Sequence, residues 1–159
     1  MEELKIDSGI KKIAIKNEDD EVITVLRINV ADAEVIEKFA KVISDLNSIS
    51  DRSEAEAEKI RGTVQSIDVS DDGEISDEDI AKAVDVNRIR VKYIKEIMDT
   101  LDELFGEGTI HNIYGDTVPD EMALVDFVEG IVPIMNKLFG NRLEISRQKY
   151  NSNRRGANK

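Results

Sequence analysis

The chain has 159 residues, with 22 Lys and Arg against 34 Asp and Glu, for a net charge of −12. The absence of Cys excludes a disulfide scaffold and a thiol nucleophile, and a single His excludes a His-rich metal site. Apolar residues reach 40%, enough for a core at this length, but aromatics are only 4%, so Ile, Val and Leu must build it.

In chain order, residues 3–7, 11–16 and 22–28 read as strands. Lys12-Ile13-Ala14-Ile15-Lys16 alternates polar and apolar side chains, and Val22 to Ile28 is β-branched. Asp7-Ser8-Gly9 and Asn17 to Asp20 supply the turns, so the expectation is a small antiparallel meander that must pack on helices. Asp32 can cap a first helix, with Val35, Ile36, Phe39, Val42, Ile43 and Leu46 on one face and helical character to about Ile67. A short helix around 79–84 follows. The next stripe is Ile94, Ile97, Met98, Leu101, Leu104 and Phe105, closed by Gly106. A loop covers 110–114. A last helix opens at Asp120, with Leu124, Phe127, Val128, Ile131, Met135 and Leu138 inward and Pro133 expected to kink or restart it.

These elements predict an α+β class, mainly helical with an N-terminal β-meander or hairpin, as a single domain over 1–140. Charge divides the chain further. Residues 51–85 hold twelve acids against four bases, and residues 142–159 hold six cations against Glu144 alone. The second segment ends in Asn-Ser-Asn-Arg-Arg-Gly-Ala-Asn-Lys, with nothing apolar to bury, so 141–159 is expected to be a basic, flexible tail. It reads either as a solvated surface or as a partner-binding arm.

No stretch approaches the roughly 18 apolar residues of a membrane span. The start, Met-Glu-Glu-Leu-Lys, lacks the apolar core of a signal peptide, so a soluble, intracellular chain is expected. Its acidity argues against nucleic-acid binding, because phosphates are repelled. His111 lies near Asp116 between glycine-rich turns, but no nucleophile stands at a telling spacing, so it reads as a surface or packing residue and the chain as no enzyme. Tyr93, Tyr114 and Tyr150 read as packing or interface residues.

Residues 68–79 read Asp-Val-Ser-Asp-Asp-Gly-Glu-Ile-Ser-Asp-Glu-Asp and resemble the calcium loop of an EF-hand. The resemblance implies Asp68, Ser70 and Asp72 as alternating oxygen ligands, the Glu74 carbonyl, Ser76, and Asp79 closing the loop around Ca2+ or Mg2+. Ser70 replaces the commoner Asp or Asn, and Asp79 is shorter than the usual two-oxygen Glu, which favours weaker calcium binding or the smaller ion. The other reading is an acidic loop whose Ser76 to Asp79 cluster caps the next helix.

Two further blocks belong together: Lys5 through Asp32 into the helix at Phe39, and Leu101-Asp102-Glu103-Leu104-Phe105-Gly106-Glu107-Gly108-Thr109, then Ile113 to Asp116, an apolar helix, and Lys149-Tyr150-Asn151-Ser152-Asn153-Arg154-Arg155. Over about 100 residues this combination resembles small proteins of the tail modules of long-tailed phages and prophages of Gram-positive bacteria, commonly taken to be tail assembly chaperones. The resemblance implies a non-catalytic protein of the host bacterial cytoplasm. Such a protein binds the tape measure protein, helps bring tail tube protein subunits to it, and can form a homo-oligomer. A structural or adaptor component of the tail, and a calcium-binding EF-hand-like interaction protein, are the rival readings. The client surface implied is Ile110, Ile113, Tyr114 and Val118, the second face of the last helix at Val125, Val132 and Phe139, and the pair Arg154 and Arg155.

Overall fold

A computed structural model describes residues 1–61 and 76–156. The order is β1 (Ile10–Lys16), β2 (Val22–Asn29), α1 (Val35–Arg61), α2 (Asp77–Phe105), α3 (Thr109–Tyr114) and α4 (Glu121–Gly156). The α+β expectation therefore holds: a two-stranded hairpin followed by helices. The meander loses its first strand. Residues 3–7 form no ladder, and Leu4 and Ile6 stay exposed, because alternation alone does not supply a partner edge.

The chain divides into two compact units, 1–39 with 119–159, and 40–118. Position 140 is no boundary, because α4 continues from Glu121 to Gly156. Between Gly140 and Gly156 the sequence has no Pro or Gly and several good helix formers, so nothing stops the helix; the segment read as a flexible tail is helical to Gly156. Pro133 likewise sits inside α4 as one continuous element, with its ring on the exposed side. α2 is also longer than expected. Residues 85–93 contain no breaker, and the Glu78–Lys82 and Asp85–Arg88 pairs, at 3.0 and 3.1 Å, brace its exposed turns.

In the first unit, β1 and β2 pair antiparallel with Ile13 opposite Leu26 and Ala14 opposite Val25. Ile13, Leu26 and Ile28 turn inward and are buried, as pleat alternation requires. The turn is made by Asn17, whose Oδ1 accepts the N–H groups of Asp19 (3.0 Å) and Glu21 (2.9 Å). Asp32 Oδ1 accepts the Glu34 N–H at 2.9 Å and leads into α1. The core adds Val30, Val35 and Phe39 to Leu124, Ile131, Met135 and Phe139 along one face of α4. The Phe39 and Phe139 rings meet edge to face at 5.4 Å. Gly9 has φ +72°, and a Cβ there would lie 2.3 Å from Ala31 Cβ, while its carbonyl accepts the Val30 N–H at 2.9 Å. The backbone approach that fixes the start of the hairpin admits no side chain.

In the second unit, α1 and α2 run antiparallel. Lys41 pairs with Glu103 (3.6 Å), Arg52 forks onto Glu96, and the Tyr93 hydroxyl donates to Glu56. Val42, Ile49, Tyr93, Ile94, Leu101, Phe105 and Ile110 are buried. The expected loop at 110–114 is the short helix α3. Its N-cap, Gly108, has no side chain, so Asp102 replaces it: Oδ2 accepts the Gly108 N–H and Oδ1 the Ile110 N–H, each at 2.9 Å.

Three outcomes follow from these contacts. Gly9→Ala should lower stability by about 2 kcal/mol or more, whereas Gly140→Ala, in open helical surroundings, should raise it by roughly 0.5–1 kcal/mol; thermal melts of both variants check the signs. Asp102→Ala should cost about 1–2 kcal/mol, and Asp102→Asn less, because the amide keeps one of the two acceptors; urea unfolding gives the order. The Gly9 N–H and neighbouring Lys11 hold the Asp7 carboxyl below its usual 3.8, and the Lys38 ammonium with the Glu34 N–H does the same for Asp32. Their contribution is complete above 3.8 and is lost as pH falls through the lowered values. The double variant Asp7→Asn with Asp32→Asn should therefore melt lower than wild type at about pH 6, with the gap narrowing as pH is taken below 3.8.

Candidate functional site

The calcium-loop residues fall into two groups. Asp68, Ser70, Asp72 and Glu74 lie outside the described residues. Ser76 and Asp79 are described, and they form a helix cap. Ser76 Oγ accepts the Asp79 N–H at 3.1 Å, and the Ser76 hydroxyl donates to Asp79 Oδ2 at 2.7 Å. Asp77, Glu78 and Asp79 set three carboxylates in the first turn, where the helix dipole favours negative charge. For these two residues the capping arrangement foreseen from the Ser76 to Asp79 cluster is present.

The expected client residues separate by burial. In the second unit Ile110 is fully buried behind the Asp102 clamp and completes the core there. Ile113 and Tyr114 are half-buried, and Val118 is exposed at the end of the unit. In the first unit Phe139 is also core, held against Phe39, because it continues the Leu124–Ile131–Met135 face by one more turn. Ile110 and Phe139 thus carry packing rather than a free surface. Val125 is 45% exposed and Val132 is half-buried. With Met122 they follow i, i+3 and i+10 spacing, an apolar stripe on α4 broken by Glu129. Arg154 and Arg155 belong to the helical backbone of α4, and their side chains lie outside the described residues.

Sequence reasoning missed the polar seam of the second unit. Tyr93 is buried, and its hydrogen bond to the Glu56 carboxylate, followed by burial, pushes its hydroxyl above the usual phenol value. The Arg52 guanidinium lies 5.9 Å from the Tyr93 ring centre and Lys92 Nζ 5.0 Å from it, so the ring sits between cations. The only advance signal was negative: Arg52 and Glu56 share a helix face in a stretch with little apolar residue to pack. Beside the seam an open groove of about 440 Å³ is lined by Arg88, Val91, Lys92, Lys95, Glu96 and Asp99. Three cations and two carboxylates surround one valine there, a lining that selects no single ligand charge.

His111 is exposed on α3, with Nε2 3.8 Å from Asp116 Oδ1, itself fully exposed. Among the described residues no helix is long and apolar enough to cross a membrane.

No curated protein and no solved structure matches the chain. A family profile matches residues 22–159, from the first residue of β2 onward, and by that match the chain belongs to DUF6673, described as a family of unknown function.

Proposed function

We propose that this chain is a tail assembly chaperone of a long-tailed phage or prophage of Gram-positive bacteria, acting without catalysis in the host cytoplasm. Its client is the tape measure protein, which it keeps soluble while tail tube subunits are brought to it. The resemblance of the Lys5–Phe39 and Leu101–Arg155 blocks supplies the family reading. The observation that carries it physically is the α4 stripe of exposed Met122 and Val125 with half-buried Val132 in a chain of net charge −12. A chaperone for a long helical client needs both properties: apolar surface to shield the client and charge to keep the complex dispersed. An amphipathic client helix can lay its apolar face on that stripe.

Co-expression with the tape measure protein of the same tail module tests the reading. Wild type should move the client into the soluble fraction as a complex of defined mass. Met122→Asp with Val125→Asp alters exposed positions only, so the variant should fold as wild type by circular dichroism yet rescue at least tenfold less client. A client that stays insoluble beside wild type, with this chain unbound, overturns the proposal. Recovery of the chain in finished particles would instead mark it as a tail component.

A further inference from the structure

Two helix segments in this structure are amphipathic, exposed and opposite in charge. The first is the start of α2. Tyr93 is the first buried residue of this 29-residue helix, so its opening turns bury nothing. Ile80 (49% exposed) and Val84 (43%) stand one turn apart on one face, bordered by Asp77, Glu78 and Asp85. The second is the end of α4. Beyond Phe139 no described residue of this helix is buried. Leu143 (50% exposed) and Tyr150 (67%) stand two turns apart with Arg147 between them and Lys149 alongside. Among the described residues Arg147 meets no carboxylate and Asp77 no cation within ion-pair distance, while Lys149 acts on Asp7 of its own unit from beyond that distance.

We propose that the end of α4 in one copy of this chain docks along the opening turns of α2 in a second copy, joining copies head to tail. The inference does not rest on the chaperone reading. It commits to a second copy because charge selects one. At −12 overall, copies repel one another, so association needs a local pairing of opposite sign. The described end of α4 carries Arg142, Arg147 and Lys149 against Glu144, with Arg142 paired to Asp7, and the α2 start carries Asp77, Glu78, Asp79 and Asp85 against Lys82. Each segment has the charge the other lacks, and each has a pair of apolar side chains at helical spacing to place between the ion pairs. The two surfaces differ, so the contact is heterologous: each bound copy leaves one free surface of each kind, and assembly continues until a ring closes. Three or four turns of helix bury less than the ~1,200 Å² of a stable interface, so association is weak and sensitive to salt.

Sedimentation at low salt, about 50 mM, should show mass rising with protein concentration above 17.8 kDa, and at about 500 mM that rise should disappear. Arg147→Glu with Lys149→Glu removes one surface, and Asp77→Lys with Asp85→Lys removes the other. Each variant alone should remain monomeric at low salt. Mixed in equal amounts, they present the native pair of surfaces and a charge-reversed pair between them, so assembly above the single-chain mass should return. The milder pair Arg147→Gln with Lys149→Gln, paired with circular dichroism, guards against a misfolded variant and should weaken assembly several-fold. Wild type that stays monomeric at about 1 mM and low salt overturns the proposal and hands these faces to another partner. Variants that assemble like wild type, or a mixture that stays monomeric, overturn it equally.

Discussion

Three helices of 27, 29 and 36 residues are longer than the apolar material of this chain can cover, and most of its properties follow from that imbalance. With few aromatics and no Cys, burial depends on aliphatic side chains spaced along one face. α1 buries Val35, Phe39, Val42 and Ile49, and α2 buries from Tyr93 to Phe105. α4 buries from Leu124 to Phe139. Past those limits the start of α2 and the end of α4 continue on intrinsic propensity and surface ion pairs, which contribute only a few tenths of a kcal/mol each. Such turns are the least stable parts of a structure and the most available for a partner.

Polar contacts serve where apolar ones run short. α3 is only six residues and has glycine at its N-cap, so its free amides need an acceptor from elsewhere. Asp102, one turn before the end of α2, meets two of them with one carboxylate, and the Gly106–Gly108 bend lets the chain turn back onto it. This gives the Leu101–Thr109 block a physical reading: Asp102 is the acceptor, the glycines at φ +108° and +78° are the bend, and Thr109 and Ile110 are the buried start of α3. The Glu56–Tyr93 and Arg52–Glu96 contacts do the same between α1 and α2, where residues 50–56 of α1 bury no side chain.

Legibility in the sequence followed the range of the interactions. The hairpin was visible because alternation in β1, β-branching in β2 and the Asn17 turn are local signals. The inward stripes of α2 and α4 were visible through their period, since Ile94, Leu101, Phe105, Leu124, Ile131 and Met135 are all core. The strand expected at 3–7 was misread because Leu4 and Ile6 alternate but find no partner edge. Ile110 and Phe139 were misread as surface because a hydrophobic residue just past a glycine turn, or one turn past a counted stripe, looks spare until a clamp or a ring closes over it. The C-terminal segment was misread because composition reports missing burial, and a helix can persist without burial. The polar seam had no local signature, since Arg52 and Glu96 are 44 residues apart.

The same imbalance bears on function. A protein that buried all its apolar residues would have nothing to offer a client or a second copy. Here the exposed apolar residues include three groups at helical spacing: Met122 and Val125 beside half-buried Val132 lie along one helix face, and Ile80 with Val84 and Leu143 with Tyr150 lie along two others. Charge then sorts these faces. The α4 stripe is interrupted only by Glu129 and suits an apolar client, whereas the other two are framed by opposite charges and suit each other. Net acidity keeps the uncovered stripes from adhering indiscriminately, so association is left to surfaces that supply the opposing charge or enough apolar area to outweigh the repulsion.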